Sequence, residues 1–440
     1  MSSLSRLALS LVLTIPLTAQ AQGFKRQWTQ SPKLKNGQGF ILKTLEAQTN
    51  GGVLAIGKTY DIASSGQDQV IVLNLDAKGQ LISRTEVQNL SDTRFAEASG
   101  TLISKDGSLI IAHRRMLFSN LEAEESYITK LDPKNQIIWQ KQLNAEDPEA
   151  PSMGIIKETA EGDILSLGTG HRLNAKGETV YFCSVEKLSK VGEKLWLTTI
   201  PQEADCSPND FGALIAVDTE GSSFFALGNS VAKLDSKGQL LWTVNGRSDA
   251  LSFYNERLYS TSPQLTMALS KDGKILWAQK DLGGLELQVN ALGLAIATPE
   301  YDEKASAAHA RLMKLDINGK LLWKKGLSAD KKTNSMISDL RFDAQGNILA
   351  FAEIGVKKGF LGVVQPTTNI VKFDGEGREL GTYSSGDVNV MRSIAMGSDG
   401  SFFIGALEGA IEKFVTSETV ISPSPKPAPN CLWFNPFCRK

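Results

Sequence analysis

The sequence predicts an all-β fold, an eight-bladed β-propeller whose last blade is closed by the N-terminal strand. Three observations predict it. A hairpin phrase recurs from one end of the chain to the other, and a second phrase, a glycine turn followed by a short apolar strand, recurs between the hairpins. No stretch of any length carries the 3.6-residue apolar period of a helix. The clearest hairpin, residues 312–323, reads Leu-Met-Lys-Leu-Asp-Ile-Asn-Gly-Lys-Leu-Leu-Trp. Its alternation gives a strand ending in Lys-Leu-Asp, Gly319 supplies the positive φ that a tight turn needs, and a second strand ends at Trp323.

Copies stand at residues 72–76 before Gly79, 128–132 before Trp139, 185–189 before Trp196, 231–235 before Trp242, 267–270 before Trp277 and 370–374 before Gly377. The intervening phrase appears at residues 52–57, 106–112, 161–168, 220–228, 293–297, 345–352 and 399–405, with a glycine-free version at 255–260. Each period therefore holds about four short strands, the content of one propeller blade. From Trp139 to Trp323 successive tryptophans fall 35 to 57 residues apart, so the strands repeat while the loops vary. All occupy the same place in the repeat, which reads as packing between neighbouring blades. The last period, residues 392–396, 401–405 and 410–414, has three strands. Residues 23–28, Gly-Phe-Lys-Arg-Gln-Trp, supply a fourth and close the ring, which removes exposed sheet edges. Seven blades, with residues 250–277 not forming a blade, is the alternative.

The ends read differently. Residues 1–21 carry Arg6, an apolar run from Leu7 and Ala19-Gln20-Ala21, the layout of a secretory signal peptide. The run is too short to cross a bilayer, so no stable membrane span is expected, and the mature chain is placed in the periplasm or the medium. The propeller occupies residues 22–415. Residues 416–430 form a proline-rich, extended linker, and residues 431–440 a compact tail presenting Trp433, Phe434 and Phe437. Four cysteines in an exported chain imply disulfides. Three pairings are possible, and proximity in sequence favours Cys183 with Cys206 and Cys431 with Cys438.

Charged residues make up 22% of the chain and its net charge is −1, which excludes an electrostatic bias toward nucleic acid. Residues 52–59 match the spacing of a phosphate-binding loop, but their middle reads as a strand in register with residues 347–351. A phosphate cradle must instead open a helix. There is no His-Glu-x-x-His, Gly-x-Ser-x-Gly or acidic calcium-loop motif, and no metal or cofactor site is expected. The reading is an exported, non-catalytic binding or scaffold protein engaging a protein or cell-envelope partner. The alternative is an enzyme (lyase, hydrolase or quinoprotein-like dehydrogenase) with its site at the axial funnel.

Long connections at residues 58–69, 113–126, 169–182, 298–310 and 355–368 all fall on one face, whereas those near Asn229, Ser262 and Glu408 are short. Variable loops on a rigid scaffold mark that face as the working surface. Its candidate residues are His113, Arg114, Arg115, His171 and Arg172, a basic corner able to hold an anion or a carboxylate, and Tyr301 and Asp302. The aromatic tail is a second contact.

The Lys-Leu-Asp-x-x-Gly-x-x-x-Trp hairpins, in particular residues 235–242 and 316–323, resemble the repeats of bacterial PQQ-like β-propellers. That group includes quinoprotein dehydrogenases and BamB-like outer-membrane assembly lipoproteins. The resemblance implies the propeller fold. The adjacent cysteines and acidic metal ligands of such dehydrogenases have no counterpart here, nor does the lipidated cysteine of the assembly lipoproteins.

Overall fold

The computed structural model describes residues 21–32, 34, 38–61, 68–87, 93–117, 124–143, 152–173, 176–177, 179–200, 214–302, 307–327, 335–343, 345–358, 363–384 and 391–416. Among them every regular element is a strand, and the strands form eight sheets. Blade one is Gln38–Ala47, Val53–Asp61, Gln69–Leu75 and Leu81–Glu86; blade two is Thr93–Ile103, Leu109–Leu117, Glu124–Leu131 and Ile137–Gln142. Blade three is Ser152–Glu158, Ile164–Leu173, Thr179–Leu188 and Lys194–Ile200; blade four is Ile215–Val217, Ser223–Ala226, Gly228–Leu234 and Leu240–Ser248. Blade five is Ala250–Tyr254, Arg257–Ser262, Leu265–Ser270 and Ile275–Lys280; blade six is Glu286–Asn290, Gly293–Asp302, Ala307–Leu315 and Leu321–Gly326. Blade seven is Ser335–Phe342, Ile348–Lys358, Val363–Phe373 and Glu379–Ser384.

Blade eight joins the two ends of the chain. Met391–Met396, Phe402–Ala406 and Ile411–Thr416 are completed by Phe24–Gln30, which runs antiparallel from Phe24 opposite Thr416 to Gln30 opposite Ile411. Arg26 and Thr29 bond Glu412 across this seam, each at 3.0 Å. Just before it, Ala21–Gln22 pairs with Thr382 and Tyr383 on the outer strand of blade seven. The N-terminal segment thus holds two blades at once. Each blade's first strand packs on the first strands of both neighbours around a closed circle, so the first strands surround the axis and the fourth strands face outward. Blade five forms without a glycine in its first turn because Asn255 and Glu256 both adopt positive φ, +48° and +62°, as a two-residue type I′ hairpin requires.

Residues directly opposite across antiparallel strands project to the same side, so a blade can be followed as a row from axis to rim. In blade four the row is Ala216, Phe224, Lys233, Trp242. At the rim, Trp28, Trp139, Trp196, Trp242, Trp277 and Trp323 each lie against a positive-φ glycine in the next blade: Gly79, Gly192, Gly238, Gly273, Gly319 and Gly377 respectively. Except for Trp277, each indole nitrogen also donates to a carbonyl of that turn, at 2.9 to 3.2 Å. Any side chain at these glycines would strike the ring. The exceptions fit the rule. Blade one has Ser83 in place of tryptophan, and the facing turn uses Asn135 (φ +62°), whose carbonyl accepts from Thr85 at 2.9 Å. Blade seven has Gly381 there, closely approached by Gly23.

The lysine of the Lys-Leu-Asp phrase lies one place inward, and it is buried. Lys130, Lys187 and Lys372 pair with Asp106, Asp163 and Asp343 of their own first turns at 2.8, 3.0 and 2.8 Å, and Lys233 and Lys413 approach Asp218 and Asp399 at 3.6 and 3.8 Å. Lys314 has no such partner, because Asn290 fills the aspartate's place in blade six. It is 2% exposed and stacks 4.4 Å from the Phe342 ring centre, and burial pushes its pKa down to about 8.

Two outcomes follow from the row. Gly238→Ala forces a side chain onto Trp196 at φ +82°, and should cost about 2–4 kcal/mol of stability in urea unfolding from overpacking and backbone strain. At Lys314 the folded pKa is depressed, so the penalty is absent above the unfolded pKa near 10.5 and grows as pH falls toward about 8. Lys314→Met and Asn290→Asp should therefore both raise the melting temperature at pH 7, and the gain from Lys314→Met should vanish near pH 11. An unchanged melting temperature for both would show that Lys314 is not strained by its isolation.

Candidate functional site

Second and third strands of a blade meet on the face opposite the tight, glycine-bearing turns, and their lengths divide the blades into two classes. The second strand has 9 to 11 residues in blades one, two, three, six and seven but 4 to 6 in blades four, five and eight. Projecting hairpins therefore form two banks, one from blades one to three and one from blades six and seven. Low rims at blades four and five and at blade eight separate them. These strand lengths give that face the outline of a trough between the two banks.

The expected basic corner is built differently from its sequence. His113 is wholly buried in the second strand of blade two, with its ring stacked on Tyr127 (centroids 5.6 Å apart) and Nε2 2.8 Å from Thr129 Oγ1. Burial, helped by the Arg115 charge, lowers its pKa to about 3, so it is neutral. Arg115 bonds Glu125 at 2.6 Å, Tyr127 donates to the same carboxylate at 2.7 Å, and Arg114 reaches Glu97 at 3.3 Å. The two arginines thus face carboxylates of their own blade. His171 and Arg172 pair with Tyr181 and Val180 in the blade three hairpin, and Tyr301 and Asp302 with Ala308 and Ala307 in the blade six hairpin. These pairs stand in different banks. His309, opposite Glu300, has a buried Nε2 without a hydrogen-bond partner among the described residues. Cys183 is buried opposite Ile200 and is one half of a disulfide. Cys206, Cys431, Cys438, Trp433, Phe434 and Phe437 lie outside the described residues. Of residues 52–59, which match the phosphate-loop spacing, 53–59 lie in a strand.

A second group of polar residues, not apparent from the sequence, surrounds the axis toward the tight-turn face. Blades one, two, three, seven and eight each carry a β-bulge in the innermost strand, at residues 43, 99, 153–154, 338 and 392, whereas those of blades four, five and six are regular. Bulges re-aim side chains. Just beyond them, the axial end of the radial row reads Glu46, Leu102, Lys157, Ala216, Ser252, Gln288, Arg341, Ala395 around the eight blades. Thr101 of blade two donates to Glu46 at 2.5 Å, and Arg341 bonds Asp339 at 3.0 Å. Burial raises the pKa of both Glu46 and Asp339, against the pull of Arg341. It lowers that of Lys157, and the Arg341 charge adds to the effect. Sequence reasoning missed this group because its members are spread along the chain from Glu46 to Arg341 and only the ring brings their strands together. The signal it could have used is a charge at a first-strand position that is uncharged in the other five blades.

Residues 125–353, from the third strand of blade two to the second strand of blade seven, match the family model described as outer membrane protein assembly factor BamB. The chain belongs to this family. The match lies wholly within the propeller of this BamB-family chain, and the family's PQQ-like repeat agrees with the hairpin phrase. No curated protein matches the sequence. Among solved structures, similarity extends to a streptogramin B lyase, at 15% identity over 90% of this chain and 98% of that one, with a TM-score of 0.45. It extends also to the Pan2 WD40 domain of Neurospora crassa (9% identity, 73% and 90% coverage, TM-score 0.42) and the WD40 β-propeller domain of Doa1 (9% identity, 90% and 98% coverage, TM-score 0.41). These likenesses concern the fold.

The neutral His113 gives a pH signature. A base whose folded pKa is depressed contributes stability that is complete above its unfolded pKa near 6.5 and is lost as pH falls toward about 3. His113→Phe retains a ring to stack on Tyr127 and removes the titration. Melting temperatures taken from pH 7 to pH 3 should fall less steeply in the variant than in the parent.

Proposed function

We propose that this BamB-family propeller is an exported, non-catalytic binding protein that engages a protein or cell-envelope partner through the face bearing the two hairpin banks. The observation that carries this reading is the division of blades into five with projecting hairpins and three without, which makes a trough on an otherwise regular ring. Concave surfaces of rigid repeats suit extended partners, and hairpins give them both edges and side chains to contact. The basic side chains of the blade two and three hairpins and Tyr301 and Asp302 of blade six are the contacts proposed for opposite banks. Export through cleavage near Ala21 accords with the oxidised state of Cys183. Its proposed partner is Cys206, a bond that would tie the blade three hairpin to the connection into blade four. Residues 416–430 are proposed as a spacer presenting the aromatic loop closed by Cys431 and Cys438.

The enzyme reading keeps one observation in its favour, the perturbed carboxylates Glu46 and Asp339 beside Arg341 at the axis. Pocket carboxylates of this kind are found in catalytic sites.

Crosslinked capture of the mature protein from its native envelope tests the binding reading. Replacing residues 117–123 of blade two and 357–364 of blade seven by two-residue Asn-Gly turns keeps Met116 opposite Glu124 and Val356 opposite Gln365 and should leave the melting temperature within about 3 °C, since hairpin ends add little to a blade's core. It should also reduce partner yield at least tenfold. Full capture by the trimmed variant would remove the trough from the argument.

A further inference from the structure

We infer that the axial channel holds a binding site for a small oxyanion, a phosphate or a dicarboxylate, gripped between Lys157 of blade three and Arg341 of blade seven. In an eight-bladed ring these two blades are diametrically opposed, and their side chains start from the same register of the innermost strands, Lys157 opposite Leu165 and Arg341 opposite Leu349. The first strands surround the axis, so both side chains stand at one level of the ring's inner wall, and the Arg341 charge adds to the lowering of the Lys157 pKa. Lys157 makes no ion pair among the described residues. Lys157 is exposed and Arg341 partly so, which leaves both open to a ligand; two like charges near each other repel, and an anion between them converts that repulsion into two attractions.

The surroundings favour an anion over a cation. Asp339 is already engaged by Arg341 at 3.0 Å, and Glu46 accepts from Thr101 at 2.5 Å. Burial raises the pKa of both carboxyls, which weakens their opposition to an anion. The same register in blades four, five and six is filled by Ala216, Ser252 and Gln288, which bring no competing charge. Five adjacent blades, seven through three, bulge their innermost strands beside this level, and both cations belong to that arc. An oxyanion with oxygens on two sides spans opposed cations, while a single-ended carboxylate reaches one of them. This site is independent of the hairpin trough, because it lies toward the tight-turn face of the ring.

The test is calorimetric titration of the full-length mature protein at pH 6 with inorganic phosphate, glycerol phosphate and succinate, with acetate at matched ionic strength for comparison. Phosphate or succinate should bind at one site, at least tenfold more tightly than acetate. Stronger binding of glycerol phosphate than of free phosphate would assign the site to phosphate esters, and the reverse to the free ion; either supports it. Lys157→Met, which removes a side chain without an ion pair, should weaken binding at least tenfold and leave the melting temperature without ligand unchanged. Arg341→Met should do the same to binding. Lys78→Met, in an outer turn of blade one, should bind as the parent does. Heats no larger for phosphate and succinate than for acetate, or a Lys157→Met protein that binds as tightly as the parent, would overturn the site.

Discussion

Everything in this molecule depends on a tryptophan of one blade lying flat against a glycine of the next. A four-stranded sheet cannot bury both of its faces alone, so each blade borrows a surface from its neighbour, and the rim is where that loan is most easily lost to water. The indole covers the turn, donates to its carbonyl and admits no side chain beneath it. The glycine is thus required twice, once by its positive φ and once by the ring above it. At Ser83 and Asn135 both partners change together, which shows that the two positions form a single unit.

The same register that ends in tryptophan at the rim begins at the axis, so one radial row connects seam, buried lysine and lumen. Its lysines are held by aspartates of the first turn in five blades, which fixes the tight-turn side of the ring. Rigidity on that side leaves the opposite side free to vary in length. Variation and uniformity are therefore separated along the axis, with uneven hairpins on one face and uniform turns on the other. Buried ion pairs of this kind add little net stability, but they penalise any register in which a lysine lacks its carboxylate.

Local chemistry made most of the fold legible. Alternation and turn glycines give the strands, the repeated Lys-Leu-Asp and Trp positions give the blades, and the unmatched segment ending at Trp28 gives the closure, with Phe24–Gln30 found beside Ile411–Thr416. Blade five was readable without its glycine because asparagine tolerates the left-handed region. The site was less legible. His113 stands beside two arginines in sequence, yet it is buried in the core, while Arg114 on the other face reaches Glu97 and Arg115, one step further along His113's own face, reaches Glu125. Glu46, Lys157 and Arg341 carry no motif at all; their proximity comes from ring closure, and the bulges beside them leave no trace in composition.

The segment Ala21–Gln30 bridges blades seven and eight, and the ion pair of Arg26 with Glu412 joins residues 386 positions apart. The first strand to be synthesised must therefore wait for the last before it has a partner. Until then the nascent array is an open arc with two raw edges, vulnerable to pairing with other chains. Completion is a late, all-or-nothing event, and a chain shortened before Ile411 forfeits the circle even though seven of its sheets are intact.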